Sequence, residues 1–319
     1  MTFACYLRVA VTTAIVFPGQ GSQKPGMARD FHTRYAAARE VFAEASDAVG
    51  LDMAALCFEE DPRLDQTEFT QPALLTAEIA MVRALQTEHG LQASCYGGHS
   101  LGEYTALCAA GVIPLAAAVK LVRKRGALMQ QAVPLGTGAM AAVIADGIAD
   151  RDLTQVLAGL EVDVANRNSP NQLVLSGAAA AVERASARCV ELLSGVEHQV
   201  VPLNVSAPFH SRLMRGIEPD FRAELEAAGP TFNLAPATAV TSNLTGAFHT
   251  ADLGALIDAL TKQISGAVDW ISNMRVLAAS SKHIYEVGPN RPLRGFFKTL
   301  GRDVTAILTV KAVEKGLPT

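Results

Sequence analysis

Charge and aromatic side chains are scarce in this 319-residue sequence: 18% of the residues are charged and 6% are aromatic. Disorder is excluded, because a disordered chain needs low hydrophobicity and high net charge, whereas half of these residues are hydrophobic. The formal net charge of −4 gives no reason to expect nucleic acid as a partner. No apolar run reaches the ~20 residues of a membrane-spanning helix, so we expect neither a membrane span nor a signal peptide.

Cysteine pairs are also lacking. The five cysteines are scattered, and no C-x-x-C motif is present; they are Cys5, Cys57, Cys95, Cys108 and Cys189. The odd number and the spacing argue against a disulfide scaffold and against a zinc site, so no metal is predicted. We expect buried, inert thiols in a cytoplasmic protein.

The chain alternates short apolar runs with longer helical patterns, and Gly or Pro separates them. This rhythm is typical of βα units and predicts an α/β fold with a buried parallel sheet. Its strands are predicted at residues 14–17, 94–97, 237–241, 284–287 and 305–308. Its helices are predicted at residues 72–89, 101–110, 115–131, 212–228, 253–264 and 270–279.

The middle of the chain has a different rhythm. A strand, a helix, two strands, a helix and a strand are predicted at residues 140–145, 150–157, 162–165, 172–176, 179–193 and 199–203. This β-α-β-β-α-β order is the ferredoxin-like pattern. We therefore expect a large discontinuous subdomain of residues 1–134 and 204–319, and a small ferredoxin-like subdomain of residues 135–203.

The most informative segment is a G-x-S-x-G motif that runs from Gly98 through Ser100 to Gly102. A predicted strand precedes it and an apolar helix follows, as in the nucleophile elbow of α/β-hydrolase-like folds. In such a turn the backbone N–H of Leu101 points to where an oxyanion would form. The alternative is a chance glycine-rich turn with an ordinary N-cap serine; the context favours the nucleophile.

A serine hydroxyl needs a base to act as a nucleophile at neutral pH. The chain has seven candidates: His32, His89, His99, His198, His210, His249 and His283. Adjacent residues on a sharp turn rarely point to the same spot, which disfavours His99 as the base. His210 lies in a Pro-interrupted loop downstream of the serine, an order that hydrolase-like folds share. Spacing alone makes His210 the favoured candidate and leaves the others open.

Eight segments together resemble the malonyl-CoA:acyl-carrier-protein transacylase family, and most closely its free-standing members that serve modular polyketide synthases. They occur in the family's order and cover almost the whole chain: residues 17–23, 70–73, 98–104, 125–126, 168–170, 207–211, 263–270 and 286–289. The resemblance implies a large α/β-hydrolase-like subdomain and a small ferredoxin-like one. It also implies malonyl-CoA as a substrate, with no bound cofactor.

By this resemblance the reaction is ping-pong, through a malonyl ester of Ser100 with His210 as the base. The oxyanion would be bound by the backbone N–H groups of Leu101 and Gln20. The alternative for the Gly-rich segment around Gln20 is a dinucleotide loop. Lys24 stands where the third glycine of G-x-G-x-x-G belongs, which argues against it.

The resemblance also assigns substrate contacts. Arg125 would hold the malonyl carboxylate through a bidentate pair, against the alternative of a solvated basic helix face. Phe209 would favour malonyl over 2-methylmalonyl, or would simply pack in the core. The backbone carbonyl of Gln263 would orient the histidine ring, and His99 and Asn168 would line the pocket.

Two positions depart from the family pattern. Arg212 and Ala267 stand where the family often has proline. Arg212 is familiar in the free-standing polyketide enzymes and supports that narrower assignment. Ala267 weakens the inference about Gln263.

The expected partner is a transiently bound, acidic acyl carrier protein, and the chain is expected to act as a monomer. Basic residues that could meet it are Arg184, Arg188, Arg291, Arg294 and Lys298. The rival functions are an acyl hydrolase that clears stalled chains from carrier proteins, a catalytically idle docking scaffold and a malonyl-loading subunit of a decarboxylase complex. Arg125 favours transfer of a dicarboxylic acyl group over hydrolysis.

Overall fold

The computed structural model describes residues 12–205 and 207–316, and eight strands form two sheets there. The strands are β1 Thr13–Phe17, β2 Cys95–Gly98, β3 Gly138–Ala145, β4 Val162–Ser169, β5 Gln172–Ala178, β6 His198–Pro202, β7 His283–Val287 and β8 Thr305–Ile307. The first sheet is parallel, in the order β2-β1-β7-β8. This confirms the α/β fold class with a buried parallel sheet.

Thirteen α-helices occur in the same described ranges. They are α1 Arg29–Arg34, α2 Ala36–Val49, α3 Met53–Phe58, α4 Thr67–His89, α5 Leu101–Ala109, α6 Leu115–Gln131, α7 Thr154–Leu157, α8 Ala179–Leu192, α9 Glu218–Ala228, α10 Leu253–Lys262, α11 Trp270–Ser280, α12 Pro292–Lys298 and α13 Val310–Gly316. Short 3-10 helices lie at Pro62–Asp65, Ile148–Asp150, Arg212–Ile217, Gly229–Thr231 and Ala235–Ala239. None of the helices in the described ranges combines the length and apolar composition of a membrane span.

Both faces of the parallel sheet are covered, which explains the continuous apolar run of its central strand β1. In β1, Ile15 and Phe17 pack with the large cluster that includes α4, α5 and α6. Ala14 and Val16 point to the other face, where Trp270 belongs to a second cluster. The sheet is thus sandwiched between helices, and the carboxyl ends of its strands are left to carry loops.

The second sheet is antiparallel, in the order β4-β5-β3-β6. With α7 and α8 it has the order and connectivity of the predicted ferredoxin-like unit. Val143, Leu173 and Val182 belong to its own core. Met140 and Val174, from the same strands, belong to the core of the large unit. The small sheet therefore packs one face on the large unit, while the division at residues 135 and 203 stays a prediction.

Three predicted elements differ from the structure. The strand predicted at residues 237–241 is wrong: Ala235–Ala239 is a 3-10 helix, and only isolated bridges follow at Val240 and Thr241. Pro236 explains the difference, because proline fits the start of a helix and cannot donate to a strand ladder. The helix predicted at 212–228 starts as a 3-10 helix and becomes α9 only at Glu218. The helix predicted at 150–157 is reduced to α7.

The cysteines of the described residues are unpaired and buried, as the scattered spacing predicted; they are Cys57, Cys95, Cys108 and Cys189. Burial raises the pKa of each of these thiols, which disfavours the reactive thiolate. Cys5 lies outside the described residues.

Candidate active site

Ser100 lies on a strained turn between β2 and α5, with φ 54° and ψ −102°. Non-glycine residues rarely adopt such angles, so the surrounding structure must hold the turn. A Cβ added at Gly98 would clash with the backbone of Gly102, and one added at Gly102 would clash with the carbonyl of Phe17. The two glycines of G-x-S-x-G are therefore required by close backbone packing, and the turn has the geometry expected of a nucleophile elbow.

His210 is the histidine that reaches the serine. Ser100 Oγ lies 2.7 Å from His210 Nε2, and His210 Nδ1 lies 2.8 Å from the backbone carbonyl of Gln263. A carbonyl can only accept, so Nδ1 carries the proton and Nε2 is left free to accept the serine proton. No carboxylate is needed to set this tautomer.

His210 is only 4% exposed. Burial, and then the positive charge of Arg125, lower the pKa of His210 to about 3. The imidazole is therefore neutral at physiological pH, which is the form that a general base requires.

Arg125 comes from α6 and is 1% exposed. Its Nη2 donates to Ser100 Oγ at 3.1 Å and to the Oε1 of Gln263 at 2.9 Å, and its Nη1 donates to the Oε1 of Gln71 at 2.9 Å. Burial lowers its pKa. This burial rules out the alternative of a solvated basic face for Arg125, although the preceding residue, Lys124, is exposed.

The guanidinium of Arg125 has no carboxylate partner within 4 Å in the part of the chain that the structure describes. Its Nε is buried without a hydrogen-bond partner. Tyr104 lies under the guanidinium, with its ring centroid 5.2 Å from Cζ. The nearest acid acting on it is Glu103, which reaches it only through Gln263. A buried cation that is not directly paired with an anion is costly. The site is thus electrostatically prepared for a negative group next to Ser100.

The two backbone N–H groups predicted to bind the oxyanion are those of Leu101 and Gln20. Among residues 12–205 and 207–316, neither Leu101 N nor Gln20 N donates to a protein acceptor. The N–H groups on either side of Leu101 are satisfied: Ser100 N by Asn243, and Gly102 N by the carbonyl of His99. Leu101 and Gln20 therefore keep donors available to a ligand.

A cavity of about 680 Å³ joins these groups. Its walls include eight of the predicted site residues: Gln20, His99, Ser100, Leu101, Arg125, Asn168, Phe209 and His210. Gln263 is fully buried behind the wall and acts on the cavity through its hydrogen bonds. The structure thus brings all nine predicted residues to one place.

Three further predicted residues of the cavity wall, His99, Asn168 and Phe209, are held by contacts with their neighbours. His99 Nε2 lies 2.7 Å from Asn168 Oδ1, whereas the hydrogen bonds of Ser100 Oγ in the described residues go to His210 and Arg125 and not to His99. Its ring meets that of Trp270 edge-on. Phe209 is 8% exposed, so its ring is both packed in the core and present at the cavity wall. The two interpretations of Phe209 are therefore compatible.

Three polar residues of the site were missed or left without a role. Gln71 lies in the matching segment 70–73 and Glu103 in 98–104, yet neither had an assigned function. Glu103 is fully buried and accepts from the Nε2 of Gln263 at 2.6 Å. A glutamate inside an apolar helix was a usable signal. Asn243 follows a 3-10 helix in irregular backbone, and no motif pointed to it.

Comparison with known proteins agrees with this geometry. A family model described as acyl transferase domain matches residues 14–262. The malonyl CoA-acyl carrier protein transacylase of Escherichia coli strain K12 is 43% identical over 300 residues, which cover 92% of this chain and 94% of that protein. The protein of the same name from Staphylococcus aureus strain MRSA252 is 37% identical over 311 residues, covering 95% of this chain and 97% of that protein.

Solved structures give the same result. FabD from Acinetobacter baumannii superposes with a TM-score of 0.88 at 38% identity, over 96% of this chain and 97% of that one. A malonyl-transacylase in complex with its type II polyketide synthase acyl-carrier protein superposes with a TM-score of 0.87 at 36% identity, over 96% and 99%. The chain therefore belongs to the acyl transferase domain family and, within it, to the malonyl CoA-acyl carrier protein transacylases.

Proposed function

We propose that this chain is a malonyl-CoA:acyl-carrier-protein S-malonyltransferase in which Ser100 carries the malonyl group between two thiols. One observation carries this proposal: the hydroxyl of Ser100 touches a neutral base, His210 Nε2, and a buried cation, Arg125, which has no carboxylate within 4 Å in the described residues. The first feature activates a nucleophile, and the second selects an acyl group that bears a carboxylate. No cofactor is needed for this chemistry.

In the first half-reaction, Ser100 Oγ attacks the thioester carbonyl of malonyl-CoA while His210 Nε2 takes the hydroxyl proton. The negative charge that develops on the carbonyl oxygen is stabilised by the N–H groups of Leu101 and Gln20. The C–S bond then breaks, and His210 returns the proton to the departing thiolate of coenzyme A. A malonyl-serine ester remains.

In the second half-reaction, the phosphopantetheine thiol of an acyl carrier protein takes the place of coenzyme A. His210 accepts the thiol proton, and the thiolate sulfur attacks the ester carbonyl. The same two N–H groups stabilise the second oxyanion. When the C–O bond breaks, His210 protonates Ser100 Oγ, and the enzyme is regenerated with the malonyl group on the carrier.

Arg125 supports transfer of malonyl over the rival of acyl hydrolysis. A malonyl carboxylate that binds the guanidinium would supply a directly paired anion, with two parallel charge-assisted hydrogen bonds. An acetyl group has no carboxylate and therefore cannot form these bonds to Arg125. Phe209 at the wall would crowd a C2 methyl group, a discrimination on the order of 1–3 kcal/mol.

Narrower assignments belong to the same proposal. We assign the chain to the free-standing acyltransferases that supply modular polyketide synthases, supported by Arg212 directly after His210-Ser211. We also propose action as a monomer in the cytoplasm, on two subdomains divided at residues 135 and 203. A panel of carrier proteins from polyketide and fatty-acid synthases tests the assignment to polyketide synthesis: a polyketide carrier should accept malonyl faster than a fatty-acid carrier.

The decisive experiment incubates the protein with malonyl-CoA or acetyl-CoA, with and without a carrier protein. Intact-mass analysis should show a malonyl adduct on Ser100, none on the Ser100→Ala variant, and rapid transfer to the carrier. Absence of the adduct would favour an idle scaffold. Hydrolysis of acetyl-carrier without malonyl transfer would establish the hydrolase instead.

A further inference from the structure

One side chain that has no role in the proposed reaction, that of Asn243, forms hydrogen bonds to the backbone of the turn that carries Ser100. Asn243 is fully buried and lies 143 residues further along the chain. Its Oδ1 accepts from the backbone N–H of Ser100 at 2.6 Å. Its Nδ2 donates to the carbonyl of Gly98 at 2.8 Å. A single amide thus bonds to the chain on both sides of His99, where the backbone makes its sharp turn.

The orientation of this amide is fixed by its partners. An N–H group can only meet Oδ1, and a carbonyl can only meet Nδ2, so a flipped amide would lose both bonds. Nδ2 also donates to Asn273 Oδ1 at 3.0 Å, and the backbone N–H of Asn243 donates to Glu103 Oε2 at 3.0 Å. Asn243 is therefore held rigidly and can impose its position on the turn.

The turn requires such support, because Ser100 has a positive φ that its own backbone disfavours. Strained angles persist only where the surrounding structure over-determines them. The bonds from Asn243 act on the strained residue itself. They also occupy the N–H of Ser100, so the free donor next to the serine is that of Leu101. The geometry of nucleophile and oxyanion donor therefore depends on this side chain.

We propose that Asn243 is a positioning residue for the acylation of Ser100. It touches neither substrate nor base, and it acts by holding the backbone from which Ser100 Oγ and Leu101 N–H project. The inference rests on the proposed function, since it takes Ser100 as the nucleophile. A displacement of about 1 Å at such a site is enough to slow chemistry strongly.

The test compares Asn243→Ala with the matched control Asn273→Ala. Both residues are fully buried asparagines, and Nδ2 of each donates to a backbone carbonyl, that of Ser242 in the case of Asn273. Asn273 bonds to Asn243 but makes no hydrogen bond to residues 98–103 within the described chain. Rapid quenching and mass spectrometry give the rate constant of malonyl-Ser100 formation at saturating malonyl-CoA. For each variant, the half-saturating concentration (the malonyl-CoA concentration that gives half the maximal rate constant) and the melting temperature are also measured.

We expect Asn243→Ala to lower the rate constant about 30-fold, the equivalent of losing two ordinary hydrogen bonds. The half-saturating concentration should change less than about twofold, because Arg125 and the cavity wall are intact. The control should slow by less than about threefold even if its melting temperature falls equally, because Asn243 then keeps its bonds to Ser100, Gly98 and Glu103 and loses only the one to Asn273. Asn243→Ser, whose hydroxyl reaches only one of the two partners, should lie between wild type and Asn243→Ala, and it is the variant to use if the alanine variant does not fold.

Equal slowing of the Asn243 and Asn273 variants would overturn the positioning role, as would a change confined to the half-saturating concentration. Wild-type protein that forms no adduct on Ser100 would overturn the proposed function instead. The two failures are therefore distinguishable in the same experiment.

Discussion

Replacing Arg125 by alanine should convert a malonyl-selective site into one that barely distinguishes malonyl from acetyl. The guanidinium is buried next to Ser100 and has no carboxylate within 4 Å in the described residues. Hydrogen bonds to charged groups contribute about 1.5–3 kcal/mol each, and a bidentate carboxylate makes two. The full pair is therefore worth about 3–6 kcal/mol of binding to malonyl-CoA.

The net loss is smaller than that sum, because the free enzyme already uses the guanidinium. Nη1 donates to Gln71 and Nη2 to Gln263, and malonate must replace or share these bonds. We therefore expect the lower half of the range, a fall of about 10²–10³-fold in kcat/KM for malonyl-CoA. Acetyl-CoA loses only the bond from Nη2 to Ser100 Oγ, at the weak end of the range for one such hydrogen bond, about 1.5 kcal/mol or about tenfold.

The assay measures kcat/KM for both thioesters with one carrier protein and compares their ratio between variants. Lys124→Ala is the matched control: it removes one positive charge from the same helix, but the side chain is exposed and pairs with Glu224. The malonyl-to-acetyl ratio should fall at least about tenfold in Arg125→Ala and stay unchanged in the control. A ratio that is unchanged in Arg125→Ala would refute the carboxylate role.

Of four further predictions, two concern the base, one the pocket wall and one the elbow. Burial lowers the pKa of His210 to about 3, so the rate constant of Ser100 malonylation should stay nearly flat from pH 7.5 to 5.5; a half-maximal rate near pH 6.5 would show an ordinary histidine. Because of the same shift, His210 binds a proton between about pH 6.5 and 3 in the unfolded protein but not in the folded protein. The free energy of unfolding, measured by urea titration, should therefore fall as the pH is lowered from about 6.5 towards 3. Phe209→Ala should raise kcat/KM for 2-methylmalonyl-CoA relative to malonyl-CoA by about 10–200-fold, and an unchanged ratio in competition assays would leave Phe209 a packing residue only. Gly98→Ala should lower the melting temperature and abolish malonyl loading, because its Cβ would meet the backbone of Gly102; a fully active variant would contradict the close packing of the elbow.

Several of the predicted residues could be found from the sequence because their motifs encode a backbone constraint. Gly98 and Gly102 leave no room for a side chain, and Gly126 lets α6 approach α4 closely beside Arg125. Such constraints are visible in a short string of residues. The βα rhythm likewise predicted the parallel sheet, since buried strands have continuous apolar runs between helices.

The sequence could not predict contacts between residues that lie far apart in the chain and in irregular backbone. Asn243 follows a 3-10 helix and meets Ser100 from 143 residues away, and no periodicity marks such a position. The apolar run at residues 237–241 was misjudged because a preceding proline favoured a helical turn. Whether His210 or another histidine reached the serine was likewise a matter of tertiary packing, which spacing alone left open.

Gln263 contacts the base through its backbone and the arginine through its side chain, and this separation has an evolutionary consequence. Its carbonyl bonds to His210, whereas its amide bonds to Arg125 and Glu103. Any amino acid at this position keeps the carbonyl, but only a few can hold the guanidinium. A single codon change there would disturb the choice of acyl group first and leave the base with its partner. Descendants of this enzyme could therefore explore new substrates without first losing the ability to acylate the serine.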